Sequence, residues 1–222
     1  MITKENLKWT IMRNKITTLI FDFDGVIANT DLGRYNLLKK ILCEFDVELS
    51  NSIKRKDLIG LSTKAFLVKF SKKLNQYEID KIIKKRHDLF FSNLDKYCIP
   101  YDHVKDSILH LHSKYDLAIV TTNSIENVIV QLKHLGIYKL FKWIVGRELC
   151  ETKELKKTYS EIPNALNKKV YECIVIEDSD FGVNAAKKEG YFCFRFDPEN
   201  TFGKGSEDDR IESYVELVKK LG

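Results

Sequence analysis

The sequence has little proline and glycine, no long apolar run and no closely paired cysteines. Three prolines and ten glycines among 222 residues leave little room for long linkers. No segment approaches the roughly 20 consecutive apolar residues that cross a bilayer, and the N-terminus lacks the apolar core of a signal peptide. The five cysteines are scattered without a Cys-x-x-Cys pair, so we expect free thiols and a cytoplasmic protein.

Concentrated charge is also missing. The formal net charge of +5 comes from 37 Lys+Arg against 32 Asp+Glu and is spread over short pairs such as Lys72-Lys73 and Lys187-Lys188. Nucleic-acid binding favours a clustered basic stripe with aromatic residues, so this pattern disfavours a nucleic-acid partner. The length suits one substantial core, with or without a smaller inserted domain, and it indicates nothing about oligomeric state.

The pattern of predicted elements changes along the chain. Residues 1–15 carry no motif and are interpreted as an N-terminal extension, and the apolar run at 16–20 predicts a buried strand. The next predicted elements are helices at 32–45, 63–70 and 77–94, without a convincing strand between them. From residue 103 onward, predicted helices alternate with strands at 117–121, 143–145, 171–176 and 191–196. One of these predicted helices is a charged region at about 153–167. A terminal helix is predicted at 209–221.

This alternation predicts an α/β fold with a parallel, doubly wound, Rossmann-like sheet. Residues 16–30 and 101–222 are interpreted as the core domain, and residues 31–100 as an inserted α-helical domain. The two crossings are expected near 28–33 and 98–102, because Pro100 ends a helix and stiffens the exit.

Two aspartates follow the first predicted strand. Residues i and i+2 of an extended segment share a face, so Asp22 and Asp24 are expected to point the same way at the carboxyl edge of the sheet. Gly25 then allows a tight turn. Two carboxylates this close repel unless a cation neutralises them or one is protonated, and both outcomes suit phosphate chemistry. The structural alternative is that one aspartate caps a helix and the other lies in a turn.

Polar residues also end two later strands. Thr121-Thr122-Asn123-Ser124 can donate side-chain and main-chain hydrogen bonds to a phosphate oxygen, or can simply form a helix N-cap. Glu177-Asp178-Ser179-Asp180 places acids at a strand end, where Mg²⁺, a hard cation, finds the oxygen ligands that it prefers. A plain helix cap is the alternative here, but the small residues Gly182, Ala185 and Ala186 fit a helix packed tightly on the sheet.

In this order the motifs resemble those of the haloacid dehalogenase superfamily, in particular members of the β-phosphoglucomutase and phosphoglycolate phosphatase type, which have a small helical cap. Phe21-Asp-Phe-Asp-Gly-Val-Ile is similar to the first motif, Thr121 to the hydroxyl of the second, and Glu177-Asp-Ser-Asp-Phe-Gly-Val to the fourth. The resemblance covers nearly the whole chain after residue 15, and it implies that residues 31–100 are the cap.

The resemblance also implies roles for the acidic residues. Asp22 would be the nucleophile, and Asp24 would act as general acid and base. Mg²⁺ would be held by Asp22, the main-chain oxygen of Asp24, and Asp178, while Glu177 would support the site.

The phosphate would be bound by Thr121, Thr122, Asn123 and a lysine between the second and fourth motifs. The Lys-Pro-x-Pro that the family often has there is absent. Lys153 matches best by position, but Lys156 and Lys157 are further candidates for this role, and a solvated lysine run is the alternative.

The expected function is that of a Mg²⁺-dependent phosphatase, which hydrolyses a small phosphorylated metabolite through an aspartyl-phosphate intermediate. A sugar-phosphate mutase uses the same core residues, and the missing Lys-Pro-x-Pro leaves a catalytically degenerate binding or regulatory protein as a third reading.

Substrate contacts are expected from the cap, with Ser62 and Arg34 as candidates, and a surface salt bridge is the alternative for Arg34. Arg147, just beyond a core strand, is another candidate. The sequence does not identify the substrate.

Overall fold

The computed structural model describes residues 13–50, 53, 57, 62–71, 73–149, 159–160 and 162–222. These residues belong to two compact units. The first unit comprises the described residues up to Ile27 together with Tyr101–Gly222, and the second comprises Ala28–Pro100. The chain therefore leaves the first unit after Ile27 and returns to it at Tyr101.

The described residues contain six strands and nine α-helices. The strands are β1 Thr18–Phe21, β2 Asp116–Val120, β3 Trp143–Val145, β4 Cys173–Glu177, β5 Phe192–Phe196 and β6 Asp209–Ile211. The helices are α1 Thr30–Cys43, α2 Thr63–Phe70, α3 Gln76–Phe91, α4 Leu94–Tyr97, α5 Val104–His112, α6 Ile125–His134, α7 Ile162–Leu166, α8 Asp180–Lys188 and α9 Tyr214–Leu221. Short 3₁₀ helices occur at Tyr138–Leu140, Arg147–Leu149 and Val170–Glu172.

The six strands form one parallel sheet in the order β3-β2-β1-β4-β5-β6. Strand β1 is central, and its last residue, Phe21, pairs with Ile119 of β2 and Ile176 of β4. The strand order reverses between β1 and β4, and open α/β sheets bind ligands outside the carboxyl ends of the strands at such a point. The predicted parallel, doubly wound fold is confirmed.

The central strands are apolar because helices cover both faces of the sheet. Strand β1 (Thr-Leu-Ile-Phe) and strand β4 (Cys-Ile-Val-Ile-Glu) are buried along their whole length. Glu177, the last residue of β4, departs from this apolar pattern, because its side chain is a carboxylate and is fully buried. A buried charge is costly unless it is paired and hydrogen-bonded, so Glu177 needs hydrogen-bond donors at this end of the sheet.

The C-terminal region corrects one prediction. The helix predicted at 209–221 is wrong over its first residues, because Asp209–Ile211 form the edge strand β6 and pair with β5. Helix α9 begins only at Tyr214, where the Ser213 hydroxyl accepts a hydrogen bond from the main-chain N–H of Glu216 at 3.2 Å. Main-chain pairing with β5 and this N-cap together fix the boundary.

The predictions for residues 153–167 and for the five cysteines can be compared with the described residues only in part. The helical region predicted at 153–167 is represented by α7, whereas residues 153–158 and 161 lie outside the described residues. Cysteines 43, 98, 173 and 193 carry free thiols, as predicted. None of the helices in the described part of the chain combines the length and apolar composition needed to cross a bilayer.

The second unit, Ala28–Pro100, is built from α1 to α4. Its two ends meet in an antiparallel bridge between Ala28 and Pro100, where the Asn29 N–H donates to the Ile99 carbonyl at 2.8 Å. Apolar residues at helical spacing form its core: Leu37, Leu38, Ile41, Leu42, Phe66, Leu67, Ile79, Ile82 and Phe90. The unit therefore has a hydrophobic core of its own.

Gly33 sets how closely α1 can approach α4 within this unit. A Cβ atom at Gly33 would lie 2.3 Å from the main-chain oxygen of Tyr97 and 3.0 Å from its carbonyl carbon. Because the obstacle is backbone rather than a flexible side chain, a larger residue can fit only if one of the helices moves. The contact explains why a residue with poor helix propensity lies inside α1.

We predict that Gly33→Ala lowers the free energy of unfolding by about 1–3 kcal/mol, because overpacking outweighs the gain of up to about 1 kcal/mol in helix propensity. Urea unfolding followed by circular dichroism measures the change. Gly203→Ala is the matched control, because a Cβ atom there meets nothing within 4 Å. The control should be neutral or stabilising by up to about 1 kcal/mol. Equal stability of the two variants would contradict the prediction.

Candidate active site

Asp22 follows β1 directly and continues its pairing with β4. Its main-chain N–H donates to the Ile176 carbonyl at 3.0 Å, and its side chain is only 7% exposed. The Oδ1 atom of Asp22 accepts a hydrogen bond from the N–H of Phe23 at 2.7 Å. Strand pairing and this short bond orient the carboxylate at the carboxyl end of the sheet.

The acids that follow β4 lie beside Asp22. Carboxylate oxygens of Asp22, Glu177 and Asp178 all lie within 4.8 Å of one another. Gly25, with φ of +83°, lies so close to Asp178 that an added Cβ atom would be 2.0 Å from its Oδ2 atom. The loops after β1 and β4 therefore converge, and the positive φ at position 25 favours glycine. We call Asp22, Glu177 and Asp178 the acidic cluster.

Glu177 is enclosed on several sides. Its Oε1 atom accepts a hydrogen bond from the Tyr159 hydroxyl at 2.8 Å, and its Oε2 atom accepts one from the Ser179 hydroxyl at 3.5 Å. A Cβ atom at Gly182 of α8 would lie 2.1 Å from this carboxylate. The small residues of α8 predicted that this helix packs closely against the sheet. The close contact is with the side chain of Glu177.

Tyr159 responds to the negative charge of the cluster. Burial raises the pKa of Tyr159 well above its ordinary value, and the nearby charges of Glu177 and Asp22 raise it further. The phenol is therefore protonated at neutral pH and donates its hydrogen bond to Glu177.

Asn123 connects the end of β2 to Asp24. Its Nδ2 atom donates to Asp24 Oδ2 at 3.1 Å, and its main-chain N–H donates to the Thr121 hydroxyl oxygen at 3.1 Å. Thr121 is buried, with 2% of its surface exposed, whereas Thr122 is half-buried. Ser124 caps α6 by accepting a hydrogen bond from the Asn127 N–H at 3.4 Å. The N-cap interpretation thus applies to Ser124, while Thr121 and Asn123 lie with Asp24.

Three further predicted site residues lie in the described part of the chain: Arg147, Arg34 and Ser62. Arg147 is exposed, and its main-chain N–H donates to the Asn123 carbonyl at 3.0 Å. Arg34 and Ser62 belong to the second unit, where Arg34 pairs with Asp31 at 3.4 Å and Ser62 caps α2. The three lysines proposed for the phosphate lie outside the described residues: Lys153, Lys156 and Lys157.

Sequence reasoning missed two residues beside the acidic cluster. Tyr159 follows a lysine-rich segment that was interpreted as a charged helix, and nothing local indicates its contact with Glu177. Arg195 interrupts the apolar strand β5, is 1% exposed, and donates to the main-chain oxygen of Asp178 at 3.2 Å. A single arginine within an otherwise apolar strand was the signal that could have identified it.

The donors of the acidic cluster fit a hard divalent cation. All three groups are carboxylates, and Mg²⁺ prefers oxygen ligands, often one or two carboxylates together with water. Like charges held this close also need neutralisation. The donor set therefore fits Mg²⁺, and Asp22 and Asp178 are among the predicted ligands.

The chain is similar to known proteins in sequence and in fold. The family described as haloacid dehalogenase-like hydrolase matches residues 19–195. The pyrophosphatase PpaX of Halalkalibacterium halodurans is 27% identical over 178 residues, which are 79% of this chain and 81% of the relative.

Two solved structures show the likeness of fold. The hydrolase YfnB of Bacillus subtilis, solved bound to magnesium, has a TM-score of 0.72 at 16% identity and covers 93% of this chain and 98% of its own. The β-phosphoglucomutase of Clostridium difficile has a TM-score of 0.72 at 20% identity, with 93% of this chain and 97% of its own covered. At these identities the likeness concerns the fold alone.

We predict that Tyr159→Phe lowers the free energy of unfolding by about 1.5–3 kcal/mol, the usual range for a hydrogen bond to a charged group. Tyr115→Phe is the matched control, because the Tyr115 hydroxyl donates at 2.9 Å to a neutral acceptor, the Leu221 carbonyl. That variant should lose only about 0.5–1.5 kcal/mol. Urea unfolding of both variants measures the difference, and a smaller loss for Tyr159→Phe than for Tyr115→Phe would show that the bond to Glu177 is not charge-assisted.

Proposed function

The chain belongs to the haloacid dehalogenase-like hydrolases, and we propose that it is a Mg²⁺-dependent phosphatase that hydrolyses a small-molecule phosphomonoester through a phosphorylated Asp22. The observation that carries this proposal is the convergence of Asp22, Glu177 and Asp178 within 4.8 Å. Asp24 adds a fourth carboxyl group to the same edge of the sheet, held by Asn123. Acids from two strand ends are what a phosphoryl-transfer site with a carboxylate nucleophile needs.

Asp22, the main-chain oxygen of Asp24, and Asp178 would hold the Mg²⁺ ion, with Glu177 in support. When bound, the ion would offset the charge of the cluster and of a phosphate dianion. The all-oxygen donor set supports this assignment. The chain's own contribution is to keep the carboxylates in place before the substrate arrives.

In the proposed first step a carboxylate oxygen of Asp22 attacks phosphorus, and the bond from phosphorus to the leaving oxygen breaks. Asp24 gives its proton to that oxygen, so the product leaves as an alcohol. In the second step a water oxygen attacks the phosphorus of the phosphorylated Asp22, and Asp24 takes the proton from that water. The bond from phosphorus to the Asp22 oxygen breaks, so inorganic phosphate leaves and the carboxylate is restored. The Asn123 amide, 3.1 Å from Asp24 Oδ2, supports this role by orienting the carboxyl group.

Thr121 is proposed to bind a phosphate oxygen. Its hydroxyl oxygen already accepts the Asn123 N–H, which turns the hydroxyl so that its proton is directed to another acceptor. Because that N–H is engaged, the structure favours a supporting role for Asn123. Lys153 is the proposed counter-charge, with Lys156 and Lys157 as alternatives.

Substrate selection is proposed to lie with the helical unit, residues 28–100. The two candidate contacts already have structural roles there, because Arg34 pairs with Asp31 and Ser62 caps a helix. The ion pair favours the surface-salt-bridge interpretation of Arg34. A cytoplasmic location and the absence of a nucleic-acid partner stay predictions.

The proposal is tested by incubating the purified protein with phosphorylated sugars, nucleotides, short organic acids and pyrophosphate. The reactions are followed by phosphorus NMR with Mg²⁺ and with a chelator. Mg²⁺-dependent release of inorganic phosphate from a monoester supports the proposal. A phosphate isomer in its place would indicate a mutase, and cleavage of pyrophosphate alone would indicate the activity in the name of the relative PpaX. No turnover of any substrate would contradict the proposal.

We predict that Asp22→Asn abolishes turnover, because an amide cannot accept the phosphoryl group as a carboxylate does. The readouts are phosphate release and acid-quench detection of a phosphorylated protein. Asp106→Asn, at an exposed position of α5, is the matched control and should keep full activity. Wild-type turnover by Asp22→Asn would refute the assignment of the nucleophile.

We predict that Asp24→Asn slows hydrolysis of alkyl phosphates by about 10²–10⁴-fold, the usual contribution of general acid–base catalysis. The asparagine can still accept the hydrogen bond from Asn123. The leaving oxygen of an aryl phosphate with an acidic phenol needs less protonation. The transfer of its phosphoryl group to Asp22 should therefore slow far less in this variant. Pre-steady-state kinetics with both substrate classes measures the difference, and equal slowing of the two would argue against proton donation by Asp24.

A further inference from the structure

Arg195 brings a positive charge into the interior beside the proposed metal site. It lies on β5 opposite Glu177 of β4 in the register of the sheet, and its side chain is 1% exposed. Burying an unpaired guanidinium is costly, so its position calls for compensating partners. Those partners lie on two different segments.

The first segment is the loop that carries Asp178. Arg195 Nη1 donates to the main-chain oxygen of Asp178 at 3.2 Å, and Nη2 donates to Asp180 Oδ1 at 2.6 Å. The residue between them, Ser179, caps α8 by accepting the Gly182 N–H at 3.1 Å. The loop is therefore held by Arg195 on both sides of the residue that begins the helix.

The second segment is the loop between β5 and β6. Arg195 Nε lies 3.2 Å from Glu207 Oε2, and its guanidinium carbon lies 5.0 Å from the centre of the Phe202 ring. Burial works against ionisation of Glu207, but hydrogen bonds from Arg210 and from main-chain N–H groups, together with the neighbouring charge of Arg195, hold its pKa at about 2. Glu207 is therefore ionised at neutral pH and forms an ion pair with the Nε side of the Arg195 guanidinium.

We propose that Arg195 is a positioning residue, which holds the main chain at Asp178 so that this carboxylate stays within the acidic cluster and binds the divalent cation. The inference rests on the proposed function, in which that cluster is the metal site. The planar fork of arginine matters, because its two terminal nitrogens reach the Asp178 carbonyl and the Asp180 carboxylate at once, which a lysine ammonium on a single stem does less well.

The competing explanation is that Arg195 only closes the loop after β5. Arg210 offers the matched comparison, because it ties the same loop through Asp197 at 3.2 Å, the carbonyls of Phe202 and Gly203 at 2.6 Å each, and Glu207 at 2.8 Å. Its hydrogen bonds go to that loop and the strand end before it. Loss of Arg210 thus tests loop closure without removing the contacts to Asp178 and Asp180.

The test is binding of Mn²⁺, and of Mg²⁺ in competition with it, to the full chain without substrate, measured by electron paramagnetic resonance and calorimetry. Arg195→Met should weaken binding by about 10–100-fold, the usual effect of removing a group that orients a metal ligand. Arg210→Met should bind the cation within about threefold of the wild type, since it leaves the contacts to residues 178 and 180 intact. Arg195→Lys should recover part of the loss, because it restores the charge but not the fork.

Steady-state kinetics adds a second readout. Arg195→Met should raise the Mg²⁺ concentration for half-maximal activity and leave the KM for the phosphate ester nearly unchanged at saturating Mg²⁺. If Arg195→Met does not fold, Arg195→Lys against Arg210→Lys carries the same comparison.

Equal cation affinity in the Arg195 variant and the wild type, or equal loss in the Arg195 and Arg210 variants, would overturn the inference while leaving the proposed function intact. A wild-type chain that binds no divalent cation would remove the proposed function, and this inference with it.

Discussion

Repulsion among the carboxylates of Asp22, Glu177 and Asp178 is the constraint on which the rest of the structure depends. Two unit charges about 4 Å apart repel by about 4 kcal/mol at an effective dielectric constant of about 20. The chain nevertheless holds these oxygens within 4.8 Å of one another at the centre of its sheet. A fold that carries this cost needs compensation from its own residues, and in the proposed function a cation supplies the rest.

The described residues supply part of that compensation. Tyr159 donates to Glu177, and Arg195 binds the main chain of Asp178 and the side chain of Asp180. Gly25 and Gly182 are without side chains where a Cβ atom would collide with the carboxylates of Asp178 and Glu177. The same contacts that make the charges tolerable also fix their positions. In the proposed function, stability and catalysis therefore depend on the same groups at this edge of the sheet.

The sequence predicts those parts of the fold and site that depend on local patterns. Alternating strands and helices were enough for the parallel sheet. Asp22 and Asp178 could be expected at the same edge of that sheet because each follows an apolar run that ends in acids. The family expected from these motifs is confirmed. Strand β6 was missed because three residues beside a helix start carry no periodic signal, and only pairing with β5 makes them a strand. Tyr159 and Arg195 were missed because their partners lie 18 and 17 residues away along the chain.

The most direct test of the shared cation is the anomalous scattering of crystals grown with Mn²⁺ in place of Mg²⁺. The account predicts an anomalous peak within coordination distance of carboxylate oxygens of both Asp22 and Asp178. The peak should disappear in crystals of the Asp178→Asn variant grown under the same conditions. An acidic cluster without a peak in the wild-type crystals, or a peak that contacts neither aspartate, would contradict the central claim.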